Sequence, residues 1–241
     1  MTQISTTSPS PVREGLVAGF KVGFGMPALV LGASYVGFGG FVRDNALGLD
    51  IAMFTTFTAW ALPGQLVMVE LYLAGAPLLA IALGVALANM RLAPMCTVML
   101  PVVRVEGRPA WRLYLAANWV AITCWALTML HAPNVPREQR LSWFMGCALT
   151  LWAASLAGCA IGYFAAGVFP HPVSLALVFL NPLYFGLLML QDLRNRQRVL
   201  SMLCGAVLCA ILHPFVPEWS LLIAGVAGGT LAYLLSIRGK A

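Results

Sequence analysis

Residues 77–103 read PLLAIALGVALANMRLAPMCTVMLPVV, a run with a single charge, Arg91, that is long enough to cross a lipid bilayer as one helix. Apolar runs of this kind recur along the whole chain. Crossing about 30 Å of hydrocarbon takes about 20 residues at 1.5 Å each. By that measure spans are expected at 16–41, 51–74, 77–102, 112–130, 142–168, 172–190, 199–214 and 219–237, separated by short turns rich in Pro, Gly or charge. The fold class is therefore an all-α, polytopic integral membrane helix bundle of eight transmembrane helices. Seven is the alternative, because the run 199–214 is only sixteen residues long when it meets Pro214.

Composition supports this reading. Hydrophobic residues make up 61% of the 241 and charged residues only 9%, whereas the surface of a soluble domain carries about 25–35% charge. A soluble enzyme, a disordered regulator and a nucleic-acid-binding module are all disfavoured. The net charge of +6 sits in short clusters between apolar runs, where membrane proteins carry topology signals rather than nucleic-acid contacts.

Residues 1–12 hold no Lys or Arg and no apolar core, so they read as a flexible tail without a cleavable signal. Residues 13–241 read as a single transmembrane transporter domain. With eight crossings, Arg13, Arg137, Arg140, Arg194, Arg196, Arg198, Arg238 and Lys240 fall on one face and Arg43, Arg104, Arg108 and Arg112 on the other. The positive-inside rule then puts both termini in the cytoplasm.

Two basic residues remain well inside nominal spans. Lys21 lies two turns from Glu14 and reads as a snorkelling residue. Arg91 follows Asn89 at about 20 Å along its helix. A guanidinium at that depth costs about 2.5–3.5 kcal/mol on insertion scales, so it must pair, snorkel or face water. Glu70, a carboxylate ligand or a helix-terminal carbonyl are the partners available to it, and a structural pair between helices is the plainer reading.

The second run carries Pro63, Gly64 and Gln65 near its middle. Proline removes an amide donor and glycine eases departure from helical geometry, so a helix break is expected there. In transporters such breaks form substrate sites near the bilayer midplane. The plainer alternative is a proline kink with Gln65 bonded to a neighbouring helix. Asn181-Pro182 in the sixth run is a second candidate break. His131, His171 and His213 each stand alone at the end of a run, and the six cysteines form no Cys-x-x-Cys pair, so neither a metal site, a cofactor site nor a catalytic triad is expected.

The order Leu62-Pro63-Gly64-Gln65, then Gly75-Ala76-Pro77, then Asn89-Met90-Arg91-Leu92, behind a glycine-rich first helix with Pro27, Gly32, Gly37 and Gly39, resembles the AzlC family. That family is the large membrane subunit of branched-chain amino-acid exporters. The glutamine, asparagine and arginine match the family's Gly-Ala-Ser-Gln and Asn-x-Arg-His motifs. Leu62, Pro63 and Gly64 replace the small residues of the first motif, and Leu92 replaces the histidine of the second.

The resemblance implies export of branched-chain or similar apolar amino acids across a bacterial inner membrane, coupled to an ion gradient. It also implies a small AzlD-type membrane subunit as partner. The glycine face of the first helix (Gly15, Gly19, Gly23) and that of the last (Gly225, Gly228, Gly229) are the surfaces expected to receive it. Pro63, Gly64, Gln65, Asn89, Arg91 and Asn181 are the expected substrate-binding residues, and Glu70 the coupling candidate. Transport of another small carboxylate or anion is the alternative.

Overall fold

In a computed structural model of the chain, the described residues are 11–105, 107, 109–166, 196–214 and 217–238, with a few isolated positions between 172 and 183. Among these every element is helical. The order is α1 (Pro11–Gly23), α2 (Met26–Asp44), α3 (Leu49–Thr58), α4 (Leu62–Leu73), α5 (Leu78–Asn89), α6 (Leu92–Val103), α7 (Trp111–Ala117) and α8 (Ile122–His131). After two short 3₁₀ turns come α9 (Arg140–Ala165), α10 (Arg196–Leu212) and α11 (Pro217–Arg238). The chain divides into two compact units, residues 1–182 and 183–241.

Each of the first four expected spans is a pair of half-helices. The first is α1 and α2, bent by 59°; the third is α5 and α6, bent by 47°. The second divides at residues 59–61 and the fourth at 118–121. Among the described residues one helix (residues 137–165) is long and apolar enough to cross a membrane alone, or up to three spans are if each bent pair is one. Shorter apolar helices at Leu49–Thr58, Leu62–Leu73, Val199–Leu212 and Ile223–Leu234 occupy the second, seventh and eighth expected runs. The sixth run lies almost wholly outside the described residues.

Proline explains three of the four interruptions. Pro27 and Pro63 stand in the first turn of α2 and α4, where the missing N–H would have had no helical partner anyway. Pro94 stands in the first turn of α6, and its ring excludes the helical bond to the Met90 carbonyl; Ala93 N–H takes that oxygen at 3.1 Å. The expected break at Pro63-Gly64-Gln65 therefore lies one turn earlier, at Ala59-Trp60-Ala61. Pro63 restarts a helix rather than interrupting one.

Within the first unit, α1 and α2 pack lengthwise on α9. A methyl on Gly19 would overlap the Trp143 carbonyl and one on Gly146 the Leu16 carbonyl. The same exchange recurs further along, with Gly39 on the Cys159 carbonyl and Gly162 on that of Val36. Contacts advance together along both chains, from Gly15 at Ser142 to Gly39 at Tyr163, so the helices are parallel. Alternating crossings give a first and a fifth span this same sense. The small-xxx-small spacing thus serves an internal contact. The Gly15/Gly19/Gly23 face is covered by α9, so it is not the open docking surface that its spacing suggested.

Tyr35, Phe38 and Val42 of α2 and Phe144, Cys147 and Leu151 of α9 form the centre of the core, joined by Val69, Met99 and Cys124 from α4, α6 and α8. In the second unit α10 and α11 meet at Gly205 and Gly228, whose missing side chain leaves room for the Gly205 backbone at 2.7 Å from a built Cβ. Gly225 and Gly229 face open space.

Candidate functional site

The elbow between α3 and α4 is held at one backbone position outside ordinary geometry. Trp60 has φ of 35°, the left-handed region that a bulky residue enters only under constraint. Its ring is buried, its Nε1–H donates to Ser155 Oγ on α9 at 2.9 Å, and it meets Trp119 edge to face at 6.2 Å. Trp119 lies in the α7/α8 break, so two helix interruptions touch through these rings. The stack continues from Trp119 to Trp152 at 5.1 Å and on to Phe57 at 5.0 Å.

Gln65, 1% exposed, sits in the first turn of α4. Its Oε1 accepts from Tyr35 O–H at 3.0 Å, and its Nε2 donates to Thr55 Oγ1 at 3.1 Å and Thr56 Oγ1 at 3.0 Å. The network fixes which way the amide points. Thr55 gives its proton to the Ile51 and Ala52 carbonyls and Thr56 to that of Ala52, so both oxygens act as acceptors toward Gln65. Both amide N–H groups are thereby engaged. Gln65 joins α4 to α2 and α3, and no hydrogen bond links it to Asn89 or Arg91 among the described residues.

Asn89 is the last residue of α5, and Arg91 lies in the break before α6. Asn89 lies against Gly64: a Cβ built there would sit 2.6 Å from Asn89 Oδ1 and 2.8 Å from its Cγ. The lost side chain at position 64 is what admits the amide. Among the described residues Asn89 Oδ1 and Arg91 Nε are both buried without a hydrogen-bond partner, and Trp125 Nε1 on α8 shares that condition. Buried polar atoms are paired in the great majority of cases, so these three are exceptions.

Of the three partners open to Arg91, Glu70 is not the one taken. Glu70 is exposed on the last turn of α4, six residues beyond Gly64, which is about 9 Å along the helix axis. Among the described residues no carboxylate pairs with Arg91. Pro63 is partly buried at the start of α4, and the helix has no side-chain cap there, so its N-terminal N–H groups face the elbow. Asn181 lies outside the described residues. Tyr35, Thr55, Thr56, Ser155 and Trp119 were not foreseen; a hydroxyl or an indole in an apolar run gives no sign of which distant helix it will meet.

The Gly64–Asn89 contact joins the start of α4 to the end of α5, and Arg91 follows two residues later. A family model described as AzlC protein matches residues 27–169, more than half of the chain. The chain belongs to the AzlC family. AzlC proteins are membrane proteins related to branched-chain amino-acid transport. The AzlC match runs from the start of α2 past the end of α9 and so contains the elbow, the Gly64–Asn89 contact and Arg91. No curated protein and no solved structure matches the chain.

Proposed function

We propose that this AzlC-family protein is the large subunit of a secondary exporter that carries branched-chain or similar apolar amino acids across a bacterial inner membrane, coupled to an ion gradient and working with a small AzlD-type partner. The observation that carries the reading is the unpartnered pair at the α5/α6 break, Asn89 Oδ1 and Arg91 Nε. The Arg91 guanidinium and the uncapped start of α4 suit an α-carboxylate. The orphaned Asn89 oxygen is an acceptor and suits an ammonium. A zwitterion satisfies both groups, whereas a simple organic anion leaves the amide oxygen open, which favours an amino acid over the anion alternative.

Gln65 supports the site from beside it, because its N–H groups are spent on Thr55 and Thr56. Glu70, the acidic residue of α4, remains the candidate for coupling, acting at a distance from Arg91 rather than as its partner. Membrane vesicles containing the protein and its partner test both parts. Labelled leucine flux should respond to an imposed proton gradient and be competed by isoleucine, valine and methionine. The variant Glu70→Gln should lose the response to the gradient while retaining exchange at equilibrium. Flux indifferent to leucine analogues contradicts the substrate class, and an undiminished gradient response in Glu70→Gln removes that residue from coupling.

A further inference from the structure

We infer that Tyr35, Gln65 and Thr56 are positioning residues that set the apparent affinity of transport, by fixing where the first turn of α4 stands against Asn89. This rests on the amino-acid site proposed above and adds to it groups that touch no substrate.

Gln65 follows directly on Gly64, the position that Asn89 packs against. Its three hydrogen bonds reach α2, 30 residues earlier, and the last turn of α3. The amide is closed on its own network: both N–H groups donate within it and Oε1 accepts the Tyr35 proton. What it can do is hold a helix in place. On the other side of the elbow Trp60 Nε1–H is tied to Ser155 Oγ, and the left-handed backbone at Trp60 persists because the surroundings over-determine it. The start of α4 is thus clamped from α2, α3 and α9 at once.

The clamp bears on the site because Asn89 packs on Gly64. A Cβ built at Gly64 would lie 2.8 Å from the Asn89 Cγ, so the amide fills the space a side chain would take, and a shift of the first turn of α4 moves the surface it rests on. Displacements of about 1 Å in a binding constellation can change rates by about 100-fold.

Tyr35→Phe removes one O–H and keeps the ring, which packs edge to face on Phe38 at 6.1 Å. At equal protein abundance it should raise the half-saturating leucine concentration by about three- to ten-fold while the maximal rate stays within about two-fold, as loss of one buried hydrogen bond predicts. Thr56→Val should act in the same direction, and Thr56→Ser, which keeps the hydroxyl, should behave as wild type. Because Tyr35 acts through Gln65, Tyr35→Phe should add nothing in a Gln65→Leu background. An unchanged half-saturation in Tyr35→Phe, a fall in abundance alone, or full additivity with Gln65→Leu would overturn the clamp. Arg91→Gln, measured beside them, reads the site separately: transport lost there with Tyr35→Phe unchanged rejects the clamp and keeps the site, and transport intact in Arg91→Gln rejects the site whatever Tyr35→Phe does.

Discussion

Arg91→Ala is expected to reduce leucine efflux by about 30- to 4000-fold in membranes of equal protein content, the loss of about 2–5 kcal/mol that accompanies removal of one partner from a desolvated charge pair. The same variant should be at least as abundant as the wild type. Arg91 Nε has no partner among the described residues, and a guanidinium at membrane depth costs about 2.5–3.5 kcal/mol, so removing it relieves the protein of an expense that a bound carboxylate would offset. A structural arginine gives the opposite pattern, with abundance falling first. Arg91→Lys should fall between, because it keeps the charge and loses the planar fork that grips a carboxylate. Efflux and immunoblot of the same membranes check all three.

Gly64→Ala should cost about ten-fold in efflux, equivalent to about 1.4 kcal/mol, again without loss of protein. The added methyl would take space held by the Asn89 amide, with Oδ1 2.6 Å from the built Cβ. The amide must then turn from the position in which its oxygen is open. Stability should not suffer, since alanine favours a helix over glycine by about 1 kcal/mol. Gly84→Ala, on the same α4/α5 interface, is the matched control: its methyl meets Leu71 Cδ1 and Val67 Cγ1, the ends of side chains that can rotate away. Gly84→Ala should therefore transport normally. Equal losses in the two variants would show general disturbance of the interface rather than displacement of Asn89.

The helical class and the place of each apolar run were legible because hydropathy is a property of local sequence. Hydropathy does not report whether a run is one helix or two. Three interruptions carry a proline in the first turn of the helix that follows, Pro27, Pro63 and Pro94, and the break in α3/α4 was foreseen within one turn on that basis. The α7/α8 break, at Asn118-Trp119-Val120-Ala121, has neither proline nor glycine, and the ring contact between Trp119 and Trp60 that meets it there is invisible in sequence.

The site was legible in part for a similar reason. Arg91 and Asn89 stand out in an apolar run because a polar group there is costly whatever surrounds it. Partners are another matter, since chain distance does not set which groups face each other. Glu70 was one of three partners open to Arg91, and it is exposed at the far end of α4. Gln65 was expected in the same cavity as Arg91, and its amide is taken up by Tyr35, Thr55 and Thr56 instead. The spacing of Gly15, Gly19 and Gly23 announced a close helix contact but not that α9 would fill it.

The most direct measurement is displacement of labelled leucine from the purified protein and its partner in lipid nanodiscs by leucine, by its deaminated acid 4-methylpentanoate, and by its decarboxylated amine 3-methylbutylamine, in the wild type and in Arg91→Ala. With Arg91 holding the carboxylate and Asn89 Oδ1 the ammonium, leucine should displace the label, and each analogue should be weaker by about 100-fold or more. Arg91→Ala should lose the preference for leucine over the amine. Displacement by 4-methylpentanoate as strong as by leucine, or unaltered leucine binding in Arg91→Ala, would contradict a zwitterion site at the α5/α6 break.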